Sequence, residues 1–166
     1  MIDTTTLIAA LAIGAGATLC IDAWNLFLAR AFGIRSLDYC LLGRWVAHLR
    51  RGVVRHSSIA AAESQKGECA LGWAAHYGIG VMLSVAFIVA VAPAWLSRPT
   101  LATAVLYGVA TVVFPFFILQ PALGLGVASS ATRNPAQARL KSLATHTVYG
   151  VGLWAWAQVA GALLAR

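Results

Sequence analysis

Four apolar stretches, at residues 6–29, 69–92, 101–127 and 142–164, dominate the chain. Each is longer than the ~20 residues a helix needs to cross a bilayer core of ~30 Å. Lipid offers a backbone no hydrogen-bonding partner, so only helices and closed barrels cross it. Stretches of this length far exceed barrel strands of about 10 residues. The expected fold class is therefore all-α: a polytopic membrane protein, a single four-transmembrane-helix bundle over 1–166. Composition agrees, with 60% hydrophobic and 10% charged residues, against roughly 25% charged in a soluble domain.

The basic residues fix an orientation. Arg30, Arg35, Arg44, Arg50, Arg51, Arg55 and Lys66 follow the first stretch, and Arg133, Arg139 and Lys141 follow the third; only Arg98 and Arg166 fall on the other side. By the positive-inside rule both basic loops face the cytoplasm and both termini lie on the non-cytoplasmic side. The expected location is a plasma membrane crossed four times. The first stretch is read as a span and not as a cleavable leader, because no basic region precedes it and Arg30 and Arg35 follow it. The net charge of +7 suits the anionic cytoplasmic leaflet of the bilayer. It does not suit nucleic acid, because the charges sit in short loops between apolar runs and form no solvated basic face.

Residues 36–51 are more than a linker. Leu37, Leu41, Leu42, Trp45, Val46 and Leu49 recur on one helical face; Ser36 can cap the start and Gly52 follows Arg50 and Arg51 at the end. This predicts a short amphipathic interfacial helix in the first cytoplasmic loop, lying on the leaflet or packed under the bundle. Pro115 is expected to kink the third helix and Pro121 to end its regular part. Cys20, Cys40 and Cys69 contain no C-x-x-C pair and are read as reduced thiols.

An ionisable side chain at bilayer depth costs at least ~2.5 kcal/mol and so calls for a reason. The ionisable Asp22, His76 and His146 and the polar amides Asn25 and Gln120 are the candidates, one set per helix. Counted from the ends of their stretches, they lie roughly 6–11 Å inside the cytoplasmic boundary. A common layer suggests a polar site for a small-molecule ligand or a proton, with Arg44, His56, Glu68 and Arg139 as accessory groups. His76, His146, Asp22 and Glu68 also form an N/O donor set suited to a transition metal, though no dense ligand motif is present. The plain alternative for each residue is a helix-to-helix hydrogen bond worth about 0.6 kcal/mol. "HYGIGV" at 76–81 and "THTVYGVGL" at 145–153 both join a histidine to Tyr-Gly-x-Gly. That echo hints at a parallel repeat, and its glycines permit close helix approach.

The stretches "GRW" (43–45), "RHSSIAAA" (55–62), "GECALGWAAHYGIG" (67–80), "FPFFILQPALGLG" (114–126) and "NPAQARLKSLATHTVYG" (134–150) resemble a bacterial family of small inner-membrane proteins catalogued as a domain of unknown function. The resemblance implies a topology and assigns no catalytic residue. Three functions stay open on the sequence: binding or movement of a small ligand or proton-coupled solute, by a homodimer if transport is involved, since four helices are few; a membrane-embedded metal-assisted or redox enzyme acting on a lipidic substrate; and a non-catalytic scaffold.

Overall fold

A computed structural model describes residues 3–164, apart from the side chains of 92–94, 163 and 164. All regular structure among the described residues is helical: α1 (Thr4–Phe32), α2 (Tyr39–Leu49), α3 (Glu68–Ser97), α4 (Leu101–Ala110), α5 (Gln120–Ala122) and α6 (Pro135–Leu164). Short 3₁₀ turns stand at Ile59–Ala61 and Val127–Ser129. Asp3 caps α1, its carboxylate accepting the Thr6 N–H at 2.6 Å, and satisfies one of the free donors at a helix start.

Three segments are long and apolar enough to cross a membrane: Thr4–Phe32, Glu68–Val91 and Leu101–Ala122. Helix α6 matches α3 in length at 30 residues. Arg139, Lys141, Ser142, Thr145, His146 and Thr147 dilute its first half, so it falls outside that group. Large apolar side chains face outward along these helices, among them Ile8, Leu19 and Leu26 on α1, Met82 and Val89 on α3, and Leu106 on α4. A surface this apolar suits lipid and is rare on a water-soluble monomer.

The third stretch is helical over Leu101–Ala122, with a disturbance before and at Pro115 and an end just past Pro121, short of Val127. α4 stops at Ala110, Thr111 and Val112 form a turn, and Pro115–Leu119 is π-helical. Pro115 has no N–H to give to the i−4 carbonyl, and the ladder widens there to the i−5 pattern. Regular helix ends at Ala122, just past Pro121. Gly124 (φ 87°) closes it: its N–H bonds to the Pro121 carbonyl at 3.2 Å and the Leu125 N–H to the Gln120 carbonyl at 2.8 Å. This is a Schellman ending, which calls for a left-handed residue.

The loop helix is shorter than expected, 39–49 instead of 36–51, and Asp38 rather than Ser36 caps it, accepting the Cys40 N–H at 2.9 Å. Of its expected apolar stripe only Leu42 is buried, together with Gly43 and His48. A second correction concerns the thiols. Cys40 and Cys69 are joined in a disulfide, with Cα atoms 3.9 Å apart, and Cys20 is free.

The chain divides into two compact units. One comprises Met1–Arg35, Tyr77–Thr111 and Thr145–Arg166; Arg166 and its expected side lie outside the described residues. Its core includes Ile13, Ala17, Phe87, Ile88, Tyr149 and Leu153. Small residues set its helix spacing. A Cβ added at Gly14 would meet the Val81 Cα at 2.7 Å, one at Gly152 the Ala17 Cα at 2.8 Å, and one at Gly150 the Val105 Cα at 2.7 Å. Hydroxyls then bond across these contacts: Ser84 to the Ala10 carbonyl at 2.9 Å, Tyr107 to Leu83 at 2.7 Å, and Tyr149 to Gly80 at 2.6 Å. The glycines of the Tyr-Gly-x-Gly echo thus pack closely at 80, 150 and 152, while Gly78 faces open space.

The other unit comprises Ser36–His76 and Val112–Ala144. Gly43 of α2 lies against the backbone of Glu68 and Gly72, and Gly72 lies in return against Tyr39 and Gly43. Segment 55–59 runs beside 122–124, with His56 N–H to the Ala122 carbonyl at 2.9 Å and Ile59 N–H to the Leu123 carbonyl at 3.1 Å.

A Gly150→Leu substitution should cost about 1–3 kcal/mol through overpacking. Gly78→Ala should be neutral or gain up to about 1 kcal/mol from helix propensity. Thermal unfolding in mild detergent measures both, and a Gly150→Leu protein as stable as its parent would contradict the packing described.

Candidate functional site

The polar residues expected at one depth are held by different neighbours. In the first unit, Asp22 accepts the Tyr77 hydroxyl at 2.8 Å, and Asn25 is half-buried one turn further along α1. His146 Nδ1 lies 2.7 Å from the Thr111 hydroxyl, which is itself 2.6 Å from the Gly108 carbonyl. With the single hydroxyl proton given to that carbonyl, His146 serves as donor through Nδ1–H. The bond bridges α6 to the end of α4, where the turn frees backbone groups.

In the second unit, His76 stacks on Tyr39 with ring centroids 4.0 Å apart and meets Trp73 edge-on at 5.9 Å. Gln120 is buried; its Nε2 donates to the Ser142 hydroxyl at 3.2 Å. Among the described residues, no group of three or more His, Cys, Asp or Glu side chains is gathered as a metal requires.

Three of the four accessory residues are latches. Arg44 and Glu68 pair bidentately, Nε to Oε2 at 2.9 Å and Nη2 to Oε1 at 2.7 Å. Arg44 Nη1 also reaches the carbonyls of Ile59, Ala60 and Ala62 at 3.1–3.3 Å. Glu68 Oε2 accepts the Gln65 N–H at 2.8 Å. Both side chains are only 13% exposed, so this pair is shielded from solvent and is not a loose surface contact. The carboxylate hydrogen bond pushes the Arg44 guanidinium above its ordinary value. Arg139 Nε donates to the Ala128 carbonyl at 2.8 Å. That bond holds a turn in which Ala128 and Ser129 take left-handed backbone at φ 46° and 59°, strained for residues other than glycine.

The fourth, His56, is different. Neither of its ring nitrogens has a hydrogen-bond partner, and both are buried. Its ring meets His48 edge-on at 5.0 Å, while His48 Nε2 is occupied by the Glu63 carbonyl at 3.0 Å. His56 lines an open cavity of about 460 Å³ with Arg55, Ser57, Gly124, Gly126 and Ala131. The cavity depends on Gly124, where a Cβ would strike the Ser57 and His56 carbonyls and where φ is already left-handed. A buried polar atom left unpaired costs about 1–3 kcal/mol, so the two ring nitrogens of His56 call for a partner.

From the sequence, His56 is expected only as an accessory group of the intramembrane layer. No motif spacing joins "RHSS" to "LGLG", which lie far apart in sequence, so the cavity itself is not marked there.

The profile of a family described as a protein of unknown function, DUF2938, matches residues 11–160. The chain belongs to this family. No curated protein and no solved structure matches it. The DUF2938 match spans the α2 latch, the cavity and every polar residue discussed above.

Glu68→Gln should lower the unfolding temperature clearly, since it removes the charge that Arg44 and the Gln65 N–H depend on. Arg51→Gln should leave it unchanged, because the Arg51–Glu63 pair, 3.6 Å long, is 62% and 76% exposed. Equal effects would contradict the latch.

Proposed function

We propose that this chain is a four-span membrane protein that binds a small phosphate-class anion in the loop cavity around His56. The observation that carries this reading is the unpaired, buried imidazole of His56 in a wall shared with Arg55 and Ser57. The guanidinium of Arg55 supplies fixed positive charge and fork-shaped donors, the imidazole an N–H, and Ser57 a rotatable hydroxyl. Among the described residues, no carboxylate lines the cavity to oppose an anion.

In this reading α6 is the fourth span, crossing with its apolar half after Lys141. The ten basic residues of the two loops then stand on the cytoplasmic side, and the cavity opens where phosphate-bearing solutes and anionic headgroups are found. Asp22, Asn25, His76, Gln120 and His146 serve mainly as pins between helices, each bond costing little because the alternative is an unsatisfied group in lipid. The metal-enzyme alternative has less support, since the described residues gather no ligand set.

The test is thermal unfolding of the purified protein in detergent, titrated with inorganic phosphate against chloride at matched ionic strength. Phosphate should raise the unfolding temperature saturably, equivalent to about 2.7 kcal/mol at a hundredfold excess over Kd. Arg55→Gln and His56→Gln should lose that rise while unfolding normally in chloride. No rise in the parent, or a rise that survives both substitutions, overturns the proposal.

A further inference from the structure

Two helices of the second unit open on the same short pattern. α2 begins "YCLLG" at 39–43 and α3 begins "ECALG" at 68–72. Each places a cysteine as its second helical residue and a glycine three residues later. The structure brings the two copies face to face. Gly43 rests on the Glu68 and Gly72 backbone, Gly72 rests on the Tyr39 and Gly43 backbone, and Cys40 and Cys69 meet between them. The reciprocity of these contacts gives the crossing a local two-fold character.

Three features distinguish this bridge from a simple staple. First, the crossing is held without it. The glycine contacts, the bidentate Arg44–Glu68 pair and the three loop carbonyls on Arg44 keep the sulfurs opposed when they are reduced. Second, each sulfur lies in the first turn of a helix, where peptide N–H groups and the positive end of the helix dipole favour an anionic sulfur. Third, Cys69 is exposed, so an attacking thiolate can reach it. On the proposed topology the pair also faces the reducing compartment, where the bridges that form are usually transient.

We propose that Cys40 and Cys69 form a reversible dithiol–disulfide couple that exchanges with a low-molecular-weight thiol. The thiolate of the small thiol attacks Sγ of Cys69. The Cys40–Cys69 bond breaks, and Cys40 leaves as a thiolate at the start of α2 and takes a proton from solvent. A second small thiolate then attacks the sulfur of the first in the mixed disulfide, releasing the oxidised small molecule, and Cys69 is protonated. Two small thiols are oxidised, one protein disulfide is reduced, and two electrons pass. Run backward, the same steps oxidise the protein. The couple acts on the α2–α3 crossing, with Tyr39, Trp73 and His76 clustered beside it.

The test uses the full chain in detergent, carrying Cys20→Ser to remove the third thiol. The protein is equilibrated across a series of reduced-to-oxidised glutathione ratios, quenched with a maleimide, and weighed by mass spectrometry while circular dichroism reports the fold. The expected result is a smooth, reversible passage from no added maleimide to two, with helicity unchanged. A Cys40→Ser version should in addition trap one glutathione on Cys69. A bridge that yields only when the protein unfolds makes the disulfide a structural staple and overturns the proposal. Thiols that stay fully reduced at the most oxidising ratio overturn it as well. Neither outcome bears on phosphate binding at His56, which is read separately.

Discussion

Backbone-to-backbone contact at glycine is the constraint on which the rest of this structure depends. In lipid an apolar side chain gains little by leaving one hydrocarbon surface for another, so helices are held by close packing and by hydrogen bonds. Both need short separations. Gly14, Gly150 and Gly152 bring helix backbones within van der Waals distance in the first unit. Only then do the hydroxyls of Ser84, Tyr107 and Tyr149 reach main-chain carbonyls on neighbouring helices. Gly43 and Gly72 do the same for the α2–α3 crossing, and set Arg44 in reach of Glu68.

This ordering separates two kinds of polar group. Some are satisfied by the packing that surrounds them: Tyr77 on Asp22, Thr111 on His146, and the loop carbonyls on Arg44. Gln120 is half-satisfied, its Nε2 on Ser142 and its buried Oε1 without a partner among the described residues. Such groups pin helices. His56 is not satisfied in this way, although the segment that carries it is firmly tied by main-chain bonds to residues 122 and 123. A well-anchored backbone that carries two buried, unpaired ring nitrogens beside a cavity calls for an explanation, and a bound ligand is the one we propose. Ala128 and Ser129, left-handed without being glycine, show that part of the neighbouring turn is built against local preference.

Much of the architecture was legible in the sequence because apolar runs of this length leave so few options besides long helices. Run length alone located α1 and the apolar parts of α3 and α6, and the Tyr-Gly-x-Gly echo marked glycines at 80, 150 and 152 that do pack closely. What was hidden depended on contacts between distant segments. Pro115 and Pro121 announced a disturbance in the third stretch, yet not that Pro115 would start a π-helical turn or that Gly124 would close the helix at Ala122. Cys40 and Cys69 looked scattered because their relation is a repeated Cys-x-Leu-Gly at two helix starts, visible only when the helices cross. The polar layer put His56 among the accessory groups, but spacing along the chain could not show that both of its ring nitrogens are buried without a partner, as the Gln120 Oε1 is in the layer itself.

If His56 is a ligand position and not a packing residue, its ring nitrogens answer to an added anion. Nuclear magnetic resonance of protein labelled with ¹⁵N only at histidine tests it directly, since the chain has 4 histidines in four different settings. On addition of inorganic phosphate, the His56 ring nitrogens should shift progressively and saturate. The ring nitrogens of His146, already bonded to Thr111, should stay in place. A titration in which His56 does not move, or in which all four histidines move together, would contradict the account.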